Sequence, residues 1–340
     1  MKAFVLIKHG SAEKAFELQE REIPKPSATE LLIEVEAFGL NFADVMARQG
    51  LYEDAPPIPA ILGYEVVGRV KEAGAEVKHL KVGQRVTALT RFGGYAEYAL
   101  TDGRAAVAIP EDMDVGVAAA IATQYCTAYY SAYEMAPLFE GDHVLIQAAA
   151  GGVGTALVQM AKNKGCVVYG TAGSESKLEY LRNMGVDFPI NYRTDDFFKL
   201  IQQKRGKEGL DVVFDSIGGK SVKKGIKLLG SGGRIVCYGA AVRSGKAKFN
   251  DIFMALGFGF YSPISFLMKS QGLIGVNMLR LADNRPDTLQ RCMQNVSKMI
   301  VDGELAPVVG GKFSHKEMAK AHAFLGGRQS MGKVVVYWDK

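Results

Sequence analysis

The sequence predicts an α/β protein in which a doubly wound, six-stranded parallel sheet is joined to a second, mostly antiparallel β domain. Two rhythms carry this reading. From about residue 120, apolar strand runs alternate with amphipathic helices, as in a parallel sheet covered on both faces. Before that point, short β-branched runs are separated by Gly and Pro turns, as in antiparallel strands. Length agrees, because 340 residues exceed the ~250–300 at which a single core stops growing, so two lobes with a cleft are expected.

In the first part the strand runs are 3–7, 31–37, 65–70, 85–89 and 95–100. Pro24, Pro26, Pro56, Pro57 and Pro59 fall between them, where a missing backbone N–H costs the sheet nothing. The parallel sheet is expected from 144–148, 167–171, 189–191, 211–215, 234–238 and 273–276. A helix over 286–302 follows. The tail then holds a short strand, a helix opening near Ser314 with Glu317 as its capping-box partner, and a last strand over 333–338. That tail is expected to return to the first lobe, giving domains of 1–123 with 303–340 and of 124–302.

Composition excludes several classes. With 48% hydrophobic and 23% charged residues the chain is neither disordered nor a membrane bundle. The net charge of +5 is small and its lysines and arginines are scattered among acids, which argues against a nucleic-acid partner. Cys126, Cys166, Cys237 and Cys292 are far apart, with no CxxC pair and no histidine at ligand spacing, so no metal site is expected and three of them read as core thiols. The first ten residues hold too short an apolar stretch for a secretory signal, and a cytoplasmic location is expected. The stretch 252–268 carries no charge but is shorter than the ~18–20 residues of a spanning helix and is broken by Pro263. It reads as a buried or lid segment, with membrane contact the lesser alternative.

A strand run, Val144-Leu145-Ile146-Gln147, leads straight into Ala148-Ala149-Ala150-Gly151-Gly152-Val153-Gly154 and then into residues with helical spacing. Small residues between a strand and a helix let the backbone approach a pyrophosphate, whose charge meets the unpaired N–H groups of the helix start. Ala150, Gly151, Gly152, Val153 and Gly154 are therefore candidate dinucleotide contacts. About 20 residues further on, an acid would grip the ribose 2′-hydroxyl of NAD. Ala172-Gly173-Ser174 stand there instead, so a 2′-phosphate can be met by Gly173, Ser174 and Lys177, with Tyr192 or Arg193 alongside. The expected cofactor is NADPH. Glu175 is the one awkward neighbour.

Several stretches are similar to the quinone oxidoreductase branch of the medium-chain dehydrogenases, which includes zeta-crystallin-like and vesicle-associated quinone-reductase-like proteins. They are 39–44, 48–52, 62–68, 83–86, 93–98, 148–154 and 332–335, and the resemblance spans nearly the whole chain. It implies a GroES-like β domain beside a Rossmann domain. It also shows a departure, because zinc-dependent members use a Cys near Asn41 and a His in a Gly-His-Glu turn, which here reads Gly63-Tyr64-Glu65. Their four-cysteine structural lobe is missing too.

Without a metal to polarise an alcohol, the acceptor has to be a good hydride acceptor already, a quinone or a conjugated enone. The resemblance implies Asn41 and Tyr52 beside the nicotinamide, Thr127 below it, Tyr238, Gly239 and Asn277 along its far side, and Lys333 at the lip. Asn41, Tyr52 and Tyr64 are the candidate catalytic residues, the two tyrosines as proton donors, with Tyr64 alternatively a packed aromatic. A homodimer is implied by the resemblance alone. Two further readings stay open: an enoyl-thioester reductase, and a non-enzymatic NADPH-binding protein that meets membranes or partners through 252–268.

Overall fold

The computed structural model describes residues 1–241 and 257–339. The chain forms two compact units, Met1–Cys126 with Met278–Lys340, and Thr127–Asn277.

In the second unit six parallel strands lie in the order Phe188–Asn191, Val167–Ala172, His143–Ile146, Leu210–Asp215, Leu229–Cys237, Gly272–Gly275. The chain starts in the middle, walks two strands to one side, and then crosses to the other. This is a Rossmann order, whose ligand crevice lies beyond the strand carboxyl ends where the direction reverses, here between His143–Ile146 and Leu210–Asp215. Val144, Leu145 and Ile146 are all fully buried, as a central strand covered on both faces requires. Leu145, Tyr169, Ile190, Val213 and Ile235 from the sheet pack with Ile201 and Val222 from the helices Phe197–Arg205 and Lys220–Leu228.

The first unit is built on Glu30–Leu40. Along its length this strand pairs antiparallel with Glu65–Ala73, while Tyr98–Asp102 takes the other edge of its first half and Lys333–Tyr337 that of its last residues. Arg85–Leu89 and Ala106–Ala108 extend the sheet on one side, and Val309–Ser314, parallel to Lys333–Tyr337, closes the other. The carboxyl-terminal strand therefore returns to this unit as expected. A small sheet of Phe16–Glu20, Lys2–Leu6 and Ala60–Ile61 completes it.

The strand expected over 95–100 forms over Tyr98–Asp102 instead, because Tyr95 is spent as a core side chain, fully buried with its ring 4.7 Å from Phe38. The helix expected near Ser314 opens as a 3-10 turn, His315–Glu317, with Ser314 Oγ accepting from Lys316 N, before running as Met318–Gly326. The helices Met278–Asn284 and Pro286–Val301, expected with the nucleotide-binding half, lie in the first unit. The longer one packs on Gly103–Ala105 and Ala106–Ala108, burying Leu289, Met293 and Val296. Cys126, Cys166 and Cys292 are buried thiols, as expected of three of the four.

Of the uncharged stretch, 252–256 lie outside the described residues. Its remainder corrects the expectation of a buried segment: Phe260, Leu267 and Met268 are 86%, 75% and 78% exposed, the last two on the helix Pro263–Lys269. No helix among the described residues is long and apolar enough to cross a membrane.

Candidate active site

The turn that follows His143–Ile146 sits at the crevice end of the sheet. It is stapled from the neighbouring strand by Thr171, whose hydroxyl accepts from Ala148 N at 3.1 Å and donates to Gln147 Oε1 at 2.7 Å, and whose carbonyl accepts from Ala149 N at 2.9 Å. Ala148 is held at φ 53°, a left-handed conformation that side chains disfavour, so the turn is fixed at some local strain. The helix Gly152–Asn163 then starts with Gly152, Val153 and Gly154, whose N–H groups make no backbone hydrogen bond, while Thr155 N is the first to be paired, with Gly151 O at 2.7 Å. A Cβ on Gly154 would lie 2.7 Å from both Ala149 Cα and Ala149 O. The bare residue is what lets helix and turn close to a span that free N–H groups can offer to a pyrophosphate. This cradle fits a dinucleotide.

The end of Val167–Ala172 is equally well defined. Ala172 is buried, Ser174 holds the N-cap position of the helix Glu175–Asn183 without a side-chain cap bond, and its Oγ lies 3.1 Å from Ser176 Oγ. Tyr192 leaves the adjacent strand with its N–H on Ala172 O at 3.0 Å, and its hydroxyl stands where a side chain on Gly173 would be. Gly173, Ser174 and Tyr192 are thus brought together, with Lys177 one helical turn on. The awkward Glu175 is engaged by Arg182 at 2.8 Å, and Arg182 also holds Glu179 at 2.9 Å, so its charge is partly offset. Further along the sheet, Tyr238 N donates to Asp215 O at 3.0 Å, Gly239 lies against Ser216 O, and Asn277 follows the last strand on the surface. Thr127 is buried, its carbonyl accepting from Ser131 Oγ at 2.7 Å.

In the first unit, Asn41 follows Glu30–Leu40 and caps the helix Phe42–Arg48, with its own N–H donated to Asp44 Oδ2 at 2.8 Å. Glu65 and Lys333 each open a strand antiparallel to Glu30–Leu40, so all three residues gather at one end of the sheet. Lys333 Nζ is ion-paired with Glu65 Oε1 and donates at 3.3 Å to Asn41 Oδ1 and at 3.4 Å to Leu40 O. Asn41 Nδ2 donates to the same Glu65 oxygen at 2.7 Å, and Gln124 Nε2 donates to Asn41 Oδ1 at 3.3 Å. The other Glu65 oxygen accepts from Thr123 N at 3.0 Å, a backbone donor carried by the π-helical stretch Ile121–Tyr125. Lys333, expected at a lip, is instead fully buried, because its side chain runs inward to the equally buried Glu65. Its role as a direct cofactor contact is not the one this geometry favours.

Beside this cluster the ring of Tyr64 packs edge-on against Tyr52, centroids 6.0 Å apart, and against Phe92 at 5.2 Å. Tyr64 is buried, and its hydroxyl makes no hydrogen bond of good geometry. Burial, together with Asp44 and Tyr52 nearby, pushes its phenol far above the ordinary value; Tyr52 is raised less, by burial and by Asp54. Asp44 itself is lifted to about 7, since burial outweighs the hydrogen bond from Asn41 N.

Sequence reasoning passed over Glu65, Gln124 and Thr171. The available signal was a charged residue opening an apolar strand, as in Glu65-Val66-Val67 and Lys333-Val334-Val335-Val336.

A family model described as the alcohol dehydrogenase GroES-like domain matches residues 27–111, and one described as zinc-binding dehydrogenase matches residues 152–296. The synaptic vesicle membrane protein VAT-1 homolog of Homo sapiens is 33% identical, over 99% of this chain and 86% of its own length. The chain belongs to the medium-chain dehydrogenase/reductase superfamily of oxidoreductases, on its quinone-reductase branch. Within the superfamily, the quinone oxidoreductase of Escherichia coli complexed with NADPH has a TM-score of 0.85 at 26% identity, covering 99% of this chain and all of that one. The CurK enoyl reductase has a TM-score of 0.85 at 27% identity, covering 99% of both chains. Where zinc-dependent medium-chain dehydrogenases place a histidine, Tyr64 packs on Phe92, and among the described residues no three His, Cys, Asp or Glu side chains are grouped to hold a metal.

Proposed function

We propose that this protein transfers a hydride from NADPH to a hydrophobic quinone or conjugated enone without using a metal. The observation that carries the reading is the cradle at Gly152, Val153 and Gly154 facing a second strand that ends in Ala172, Gly173 and Ser174 with no carboxylate. When bound, the cofactor supplies the two electrons and the hydrogen of the hydride. The chain's own residues do the rest. N–H groups of Gly152, Val153 and Gly154 hold the pyrophosphate; Ser174, Lys177 and Tyr192 hold the 2′-phosphate; Thr127, Tyr238, Gly239 and Asn277 seat the nicotinamide. Asn41 and Tyr52 orient the acceptor. As the acceptor takes the hydride, negative charge develops on its carbonyl oxygen. The Tyr52 hydroxyl, or water, then returns one proton, giving the hydroquinone or the saturated ketone. Tyr64 serves mainly as packing behind Tyr52.

Steady-state rates with NADPH over a panel of quinones and enones test this. Turnover of at least one acceptor, at the protein's own expense of NADPH and without loss in the presence of a chelator, is expected. No turnover with any acceptor removes the enzymatic reading, and equal use of NADH removes the cofactor assignment.

The buried Tyr64 hydroxyl beside Tyr52, with no hydrogen bond of good geometry, supports a second reading, reduction of an enoyl thioester with a tyrosine as proton donor. Tyr52→Phe and Tyr64→Phe are the test, and unchanged thioester rates in both dispose of it. The homodimer implied by the family resemblance would use Gly272–Gly275, the outermost strand among the described residues, and the exposed Ile264, Leu267 and Met268. Sedimentation of these positions changed to Ser checks it; a monomeric wild type that floats with liposomes would favour the membrane-contact reading instead.

A further inference from the structure

A buried ion pair stands directly behind Asn41. Lys333 and Glu65 are both at 0% exposure, and such a pair adds little to stability compared with apolar side chains of the same volume. The fold nevertheless makes room for it. Gly39, the penultimate residue of the strand Glu30–Leu40, lies so close that a Cβ there would be 2.6 Å from Lys333 Nζ and closer still to Glu65 Oε1. The consequence falls on one carboxamide. Lys333 and Gln124 both donate to Asn41 Oδ1 and Glu65 accepts from Asn41 Nδ2, so the reversed orientation of the amide would set donor against donor and acceptor against acceptor. One Nδ2–H of Asn41 is left with no acceptor in the described chain.

We propose that Lys333 is a positioning residue: by its own hydrogen bond to Oδ1 and through Glu65 on Nδ2 it locks the Asn41 carboxamide so that the remaining Nδ2–H is held for the carbonyl oxygen of the hydride acceptor. This rests on the reading of Asn41 as an acceptor-side residue. A donor fixed in advance stabilises the negative charge that appears on that oxygen as the hydride arrives, whereas an amide free to flip presents an acceptor half of the time. Lys333 itself touches neither substrate nor cofactor.

The test uses Lys333→Met, whose unbranched stem follows the same path, the doubly neutral Lys333→Met with Glu65→Gln, which leaves no lone buried charge, and each in an Asn41→Ala background. Three quantities are measured: kcat with NADPH and an accepted quinone or enone, the NADPH dissociation constant by fluorescence, and the side-chain amide signals of Asn41 in an amide-proton NMR spectrum. Lys333→Met and the double variant are expected to lower kcat by about tenfold or more, with the NADPH dissociation constant changed less than about twofold. In the Asn41→Ala background the same change should lower kcat by less than about a further twofold. The Asn41 amide signals should shift and broaden in Lys333→Met. An equal fractional loss of kcat with and without Asn41, or unaltered Asn41 signals, overturns the proposal. If the wild type reduces no acceptor, the functional reading has failed, and the Asn41 signals alone decide whether Lys333 positions the amide.

Discussion

The ring of Tyr64 meets that of Tyr52 edge-on at 6.0 Å, and the buried Tyr64 hydroxyl makes no hydrogen bond of good geometry. Ionising Tyr64 there would place a phenolate out of water and beside Asp44, which is why burial holds it so far above the ordinary phenol value. Removing a buried hydroxyl that makes no well-formed hydrogen bond relieves its desolvation cost. Tyr64→Phe should therefore be at least as stable as wild type, by up to about 1 kcal/mol in urea denaturation, and should keep quinone reduction within about twofold. Tyr52→Phe should lower enone reduction and leave quinone reduction less affected. A Tyr64→Phe variant that loses turnover while folding normally would make Tyr64 the proton donor.

Gly154→Ala puts a methyl group against Ala149. Either the helix start backs away from the turn or the turn yields, and both spoil the spacing of the free N–H groups. NADPH affinity should fall by about tenfold or more, with a stability loss of about 1–3 kcal/mol, read by fluorescence titration and by denaturation of the same sample.

Ser174→Asp places a residue type favoured at the N-cap position and introduces the carboxylate that the second strand lacks. Repulsion of the 2′-phosphate should weaken NADPH by about tenfold or more while NADH binding changes little, shifting the preference toward NADH. Parallel weakening of both cofactors would mean that Ser174 does not face the 2′-phosphate.

Asp44 and His322 share one core and pull stability in opposite directions with pH. Asp44 is raised to about 7 in the folded protein from an unfolded value of 3.8, so the native state binds the extra proton and stability falls as pH rises across that window. His322 is lowered to about 3 from 6.5 because burial disfavours its charge, with Arg48 adding to it, so the unfolded state binds the extra proton and stability falls as pH drops below 6.5. Urea melts of Asp44→Asn should lose the first slope, and those of His322→Phe should lose the second. His322 makes no hydrogen bond through either ring nitrogen and lies 4.8 Å from Phe16, so Phe is a fair replacement. A pH dependence identical to wild type in either variant would show that the residue is not the source.

How much of this was readable in advance divides along the range of the interactions. The turn at 148–154 was legible because its strand, small residues and helix are contiguous, and all six strands of the parallel sheet announced themselves as apolar runs. The Lys333–Glu65 pair was not, since it joins residues 268 positions apart and depends on the register Val334 to Leu40 and Val66 to Phe38. A lysine before three valines looks like the exposed end of a strand, and only the empty place at Gly39 lets it turn inward. Tyr95 misled in the same way: its β-favouring side chain suggests a strand, but packing against Phe38 and Phe16 takes it into the core. The helix Pro286–Val301 has an amphipathic pattern that any apolar surface would satisfy, so its pattern could not say which unit it covers.

The most direct test of the account is the rate of quinone or enone reduction with NADPH carrying deuterium in place of the transferred hydrogen at the nicotinamide C4, compared with ordinary NADPH under single-turnover conditions. Hydride transfer by this protein predicts a normal primary isotope effect on NADPH oxidation, and for an enone, deuterium retained on a carbon of the product. An absent isotope effect together with no deuterium in the enone product would contradict it.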